Sequence, residues 1–122
     1  MIRRLTDAEQ ARYNHVPSAL HRRVRIVTVG VLPPGAQGMT IGRLIFVRRD
    51  DNRDGTRALL AHELVHVHQY AQLGTVRFLS RYLATYLRFR RNHMTHRAAY
   101  LALPAEVEAR QKTHRWQQQL HE

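Results

Sequence analysis

Cysteine is absent from the 122 residues of this chain. Its absence excludes disulfides, cysteine-ligated zinc and thiol nucleophiles, so a metal site must use His, Asp or Glu side chains. No apolar stretch approaches the length that spans a bilayer, and the first residues lack the apolar region of a signal peptide. The expected compartment is therefore the cytoplasm, although secretion by another route stays open.

Acidic residues are also scarce. The chain has 9 acidic and 20 basic residues, of which 19 are Arg, and a net charge of +11. Such a charge attracts polyanions such as nucleic acid, anionic lipid or acidic peptide. The alternative is an Arg-rich but merely solvated surface, since no nucleic-acid-binding motif accompanies the charge.

The hydrophobic pattern predicts an α+β fold and one domain over residues 1–122. A small antiparallel sheet is expected to pack on a central helix and two further long helices. Predicted strands are Val24–Val29 and Thr40–Val47. Predicted helices are 6–15, 57–73, 75–91 and one from Pro104 towards Leu120, with Thr6 or Asp7 capping the first and Thr56 capping the second.

The central predicted helix contains His62-Glu63-Leu64-Val65-His66. Two histidines at i and i+4 project from one helix face, so both imidazoles can reach a single zinc ion. Glu63 points beside the metal, where it can act on the water that zinc activates. This HExxH motif predicts a zinc-dependent hydrolase; two surface histidines on an amphipathic helix are the alternative.

A catalytic zinc needs a third protein ligand. After Glu63 the acidic residues are Glu106, Glu108 and Glu122. Glu106 and Glu108 lie about 200° apart on a helix, so they cannot both face the metal. Glu106 is the favoured ligand, and Glu108 is either an outer-shell partner or the alternative ligand.

Two further readings of these residues stay open. His93 and His96 could supply a ligand, although their loop carries polar residues typical of solvent exposure. Either Glu106 or Glu108 could simply complement the positive end of a helix dipole.

The segment Leu59–Tyr70 resembles the active-site helix of HExxH zincins, and the wider stretch 38–111 resembles small bacterial zincin-like domains. The block from Glu106 to Ala109 is similar to the third-ligand helix of gluzincins. This resemblance implies a metallopeptidase with zinc on His62, His66 and Glu106.

The chain departs from related patterns at several positions. Arg110 stands where gluzincins often carry an acid. Gln69 and Gln72 replace the Gly and third His of metzincins, and no Asp follows Asp54 as aspzincins require. The gluzincin-like pattern therefore fits best, without its usual outer-shell acid.

The resemblance also implies a way of binding substrate. In zincins the strand before the active-site helix binds extended peptide, which implies that Thr40–Val47 is a substrate-facing edge strand. Gly42 within it would either allow close approach of the substrate backbone or form a bulge. Tyr100 could donate a hydrogen bond to the oxyanion, or it could be a core aromatic residue. The expected function is a zinc peptidase; the alternative is a non-catalytic binding module for nucleic acid or anionic surfaces.

Overall fold

A computed structural model describes residues 1–121 of the chain. Within them the predicted α+β class is confirmed: a small mixed sheet accompanies a set of helices. The strands are β1 (Ile2–Arg3), β2 (Arg25–Thr28), β3 (Gly38–Ile41) and β4 (Leu44–Val47). The helices are α1 (Asp7–Arg12), α2 (Ser18–His21), α3 (Ala58–Leu73), α4 (Thr75–Arg91), α5 (His96–Ala102) and α6 (Pro104–Leu120).

The sheet is mixed, so the prediction of an antiparallel sheet was wrong. Its strand order is β1-β2-β4-β3, and β2 pairs with β4 in parallel while the other pairs are antiparallel. The segment after β2 carries the chain to the far edge, where β3 forms. After a tight turn, β4 runs back antiparallel to β3. It lies between β3 and β2, and it runs in the same direction as β2.

The predicted strand Thr40–Val47 is two strands joined by a tight turn. Gly42 and Arg43 connect β3 to β4, and Gly42 has a φ of 61°. A positive φ at the first central position is typical of the type II′ hairpin turn, which favours glycine there. Gly42 is thus a turn residue and not a bulge, and of these two strands only β3 lies at an edge of the sheet.

Helix α3 is the centre of the fold and packs against the sheet, α4 and α6. Leu60, Leu64 and Val65 are fully buried in one apolar cluster with residues of the sheet and with Trp116 of α6. The Trp116 indole Nε1 donates to the carbonyl of Arg12 at 2.7 Å, which satisfies the buried indole and anchors the far end of α6.

The first turn of α3 is not held by the predicted Thr56 cap. Arg57, not Thr56, is its N-cap residue, and it makes no side-chain capping bond. The buried Tyr13 hydroxyl accepts from the Arg57 amide at 3.0 Å and donates to the Arg57 carbonyl at 3.2 Å, so it holds the first turn of the helix. At α1, by contrast, Thr6 is the N-cap residue as predicted and forms a capping box with Glu9.

Several short elements were not predicted. They are β1, α2 and α5, of which α5 begins at His96, inside the loop predicted to carry His93 and His96. Each is too short for a clear hydrophobic period. Over residues 1–121, no helix is long and apolar enough to cross a membrane.

The loop that precedes α3 depends on Gly55. Its φ is 86°, and a Cβ there would lie 2.7 Å from the carbonyl oxygen of Ala8 and 2.8 Å from the Cβ of Arg12. We expect Gly55→Ala to lower the free energy of unfolding by roughly 2–4 kcal/mol, because left-handed backbone strain adds to a steric clash. Chemical denaturation measures this change.

Gly35→Ala is the matched control. Gly35 also has a positive φ, 81°, but no atom lies within 4 Å of a Cβ built there. Its substitution carries only the backbone strain, about 1–2 kcal/mol. Equal losses for the two variants would show that the Gly55 contact with α1 contributes nothing.

Candidate metal centre

Helix α3 presents His62, Glu63 and His66 to one place. One donor atom from each lies within 4.8 Å of the others, and the two imidazole centroids are 5.0 Å apart. Glu63 and His66 are buried, whereas His62 is partly exposed. The motif is therefore inside the protein but opens to solvent at His62, and these three residues can hold a metal ion.

Glu106 reaches the same place from the first turn of α6. Its Oε1 lies 3.0 Å from His62 Nε2, and its Oε2 lies 3.0 Å from His66 Nε2. Tyr82 of α4 donates its hydroxyl to Oε2 at 3.0 Å. The structure thus brings together the two histidines and the carboxylate that the sequence singled out, while Tyr82 was missed.

These separations fit a divalent metal. Ligand atoms about 2.0–2.1 Å from a tetrahedral zinc ion are about 3.3 Å apart, close to the observed distances. His66 Nε2 is buried and has no hydrogen bond of acceptable geometry, although Glu106 is near. An imidazole nitrogen lone pair facing a carboxylate oxygen needs a proton or a cation between them. The donor set of two imidazoles and a carboxylate is one that zinc accepts.

The pKa values of the buried ionisable groups are shifted by burial and by the charged groups beside them. Burial alone would raise the pKa of Glu106, but the hydrogen bond with His62 and the charge of both nearby imidazoles hold it well below its usual range. Burial would lower the pKa of His66, but Glu106 raises it. In Glu63 burial prevails and raises the pKa of the carboxyl. Glu106 therefore favours positive charge at His66 Nε2, which lies 3.0 Å from its Oε2.

Glu63 is held against the sheet edge. The Thr40 hydroxyl of β3 donates to Glu63 Oε1 at 3.0 Å, and Thr40 is itself buried. The Tyr70 hydroxyl donates to the carbonyl of Thr40 at 3.1 Å, and burial raises the pKa of Tyr70 to about 12. Helix α3 is thereby fixed to β3 on the side where Glu63 projects.

Tyr100 lies on α5, beside Glu106. Its side chain is exposed, so the alternative of a core aromatic residue does not describe it. Partial burial and the nearby Glu106 carboxylate raise the pKa of Tyr100 above its usual range. The phenol thus stays protonated at neutral pH and can donate a hydrogen bond.

The remaining candidate ligands lie elsewhere. Glu108 accepts a hydrogen bond from Gln69 at 2.9 Å, the position expected of an outer-shell partner. His96 pairs with the Tyr86 hydroxyl at 2.7 Å, and His93 is exposed at the turn after α4. Among residues 1–121, the group able to hold a metal consists of His62, Glu63 and His66; Glu106 contacts two of these three residues, and neither His93 nor His96 belongs to the group.

Comparison with protein families gives a match to part of the chain. The family model described as the eCIS core domain matches residues 32–74, about a third of the chain. This family is linked to zincin-like, metallopeptidase-like domains. The matched span contains the β3–β4 hairpin and the whole of α3, and it ends before Glu106. No curated protein and no solved structure matches the chain.

The two carboxylates of α6 provide a direct test of this site. We expect Glu106→Gln to weaken binding of a divalent metal by more than about 100-fold, because a ligand loss should exceed the 10–100-fold effect of an outer-shell change. Glu108→Gln has the same chemical change two residues away and keeps an acceptor oxygen for Gln69, so it should retain most of the affinity. Competition with a chromophoric chelator measures both; similar losses would exclude Glu106 as the ligand.

Proposed function

We propose that this protein is a zinc-dependent hydrolase that cleaves peptide bonds. The observation that carries the proposal is the approach of Glu106 to both His62 and His66, with Glu63 buried beside them. A set of two histidines and one carboxylate is the ligand set of catalytic zinc in several peptidases, and it leaves a position for solvent or substrate. Zinc is favoured over magnesium or calcium because two of the three donors are imidazole nitrogens.

Each side chain then has a defined role. His62, His66 and Glu106 would hold the ion, which when bound polarises a carbonyl and lowers the pKa of water. Glu63 is the general base: its carboxylate accepts a proton from the attacking water and returns it to the departing amine. The raised pKa of Glu63 brings the carboxyl closer to the operating pH, where a base of this kind is most effective.

The proposed substrate is an extended peptide bound along β3. Residues Gly38–Ile41 pair with β4 on one side, and Thr40 of this strand contacts Glu63. A peptide that adds to the outer edge of β3 would therefore run beside the proposed general base. Tyr100, with its protonated hydroxyl, is the proposed donor to the oxyanion that forms on the carbonyl. β4 lies inside the sheet and takes no part in this pairing.

The general base can be tested without disturbing the metal ligands. We expect Glu63→Gln to retain zinc and to lose about 100- to 10,000-fold in kcat on a peptide library, because the amide cannot accept the proton. Glu108→Gln is the control for loss of one carboxylate nearby. A zinc-loaded wild-type protein that is no more active than Glu63→Gln would refute the hydrolase.

We propose a second function for the outward side of α4, which is docking to an anionic membrane surface. No acidic residue lies between Glu63 and Glu106 in the sequence. Exposed arginines occupy one face of α4: Arg77, Arg81, Arg88 and Arg91. The adjacent face carries Val76, Leu83 and Leu87, which are 80%, 54% and 58% exposed.

This combination favours lipid over nucleic acid. Arginines alone would serve either polyanion, but exposed leucines beside them suit the boundary between headgroups and acyl chains. Leu83 and Leu87 lie one turn apart on the same face of α4. Both side chains can therefore enter that boundary when the helix lies along the membrane surface.

A charge-matched pair of variants tests the docking. Replacing Arg77, Arg81 and Arg88 with Gln should weaken binding to phosphatidylglycerol vesicles roughly 100-fold, since each arginine near the surface contributes about 1 kcal/mol. Replacing the exposed Arg22, Arg23 and Arg115 with Gln removes the same charge elsewhere and should have a much smaller effect. Cosedimentation measures both. Equal losses, or tighter binding to DNA that Leu83→Ser leaves unchanged, would overturn membrane docking.

A further inference from the structure

Gln69 joins the two helices that supply the metal site. It lies on α3, three residues after His66, and its side chain is buried. Its Oε1 is 2.7 Å from His66 Nδ1. Its Nε2 donates to the Ala105 carbonyl at 3.0 Å and to Glu108 Oε1 at 2.9 Å, both on α6.

These contacts determine how the amide and the imidazole are oriented. Both partners of Gln69 Nε2 are oxygens that can only accept, so that end of the amide must be the NH2 group. Oε1 therefore faces His66, and it accepts a hydrogen bond, so His66 Nδ1 must carry a proton. The other ring nitrogen, Nε2, then faces Glu106 as the metal-binding atom.

The same side chain also positions the third ligand. Ala105 directly precedes Glu106, and its carbonyl is held by Gln69. One buried amide thus sets the ring orientation of His66 on α3 and the position of the first turn of α6. Removal of either contact leaves a buried polar group without its partner.

We propose that Gln69 is a positioning residue for the metal centre. This inference rests on the proposed zinc site. Metal-bound histidines commonly donate their other ring N–H to a carboxylate or carbonyl. Here a neutral amide stands between the ring and the Glu108 carboxylate, so the ring is oriented without a third negative charge directly beside Glu63 and Glu106.

Gln69→Met and Gln72→Met form a matched pair. Gln72 lies one turn further along α3 and is exposed, so the same chemical change there removes no contact to the site. We expect Gln69→Met to weaken zinc binding 10–100-fold, the range of outer-shell changes, and Gln72→Met to bind as wild type. Chelator competition measures affinity, and denaturation curves identify any general loss of stability.

A second measurement needs no metal. In the metal-free wild-type protein, 15N–1H NMR should detect a proton on His66 Nδ1 that is protected from exchange with solvent. Gln69→Met should lose that protected proton, because no acceptor remains beside His66 Nδ1. If Gln69→Met is too unstable to study, the wild-type protein alone tests the orientation: a ring protonated at Nε2 and not at Nδ1 would overturn the proposal.

The outcomes separate this inference from the proposed function. A wild-type protein that binds zinc and shows the His66 proton, yet cleaves no peptide, would refute the peptidase and support the role of Gln69. Unchanged zinc affinity and an unchanged ring proton in Gln69→Met would overturn the role of Gln69 and leave the peptidase standing.

Discussion

The contact on which the rest of the site depends is that between the Glu106 carboxylate and two imidazoles 40 and 44 residues earlier in the chain. Helix periodicity alone places His62 and His66 side by side. The carboxylate arrives only because α6 packs along α3, with Ala109 and Trp116 in the same buried cluster as Leu64. An apolar interface therefore sets the distance between polar groups that would otherwise stay in water.

Local signals in the sequence were enough to predict this helical framework. The hydrophobic pattern predicted α4 with its observed bounds, and Pro104 predicted the start of α6. The scarcity of acids directed attention to Glu106. The helix predictions use residues within a few turns of one another, the range over which helix geometry is regular.

The structural features that were not predicted either depend on contacts between distant parts of the chain or are too short to show a periodic hydrophobic pattern. The parallel pairing of β2 with β4 depends on the path between them, and the one-strand prediction for Thr40–Val47 missed a two-residue turn. Tyr82 and Gln69 appeared as ordinary members of amphipathic helices. Their hydrogen bonds to Glu106 and Glu108 join α4 and α3 to α6, and no spacing in the sequence predicts them.

The buried carboxylates of the metal site differ from a buried carboxylate elsewhere in the protein in the charge of the groups that pair with them. Glu9, fully buried, is paired with the permanently charged guanidinium of Arg3. Within residues 1–121, the ion-pair partners of Glu106 are His62 and His66, whose charge depends on protonation, and Glu63 adds a second buried carboxylate. With neutral imidazoles and both carboxyls ionised, the four residues carry two negative charges in a poorly hydrated place, which is costly. A divalent cation balances both charges at once, whereas protons would have to occupy the ring nitrogens separately.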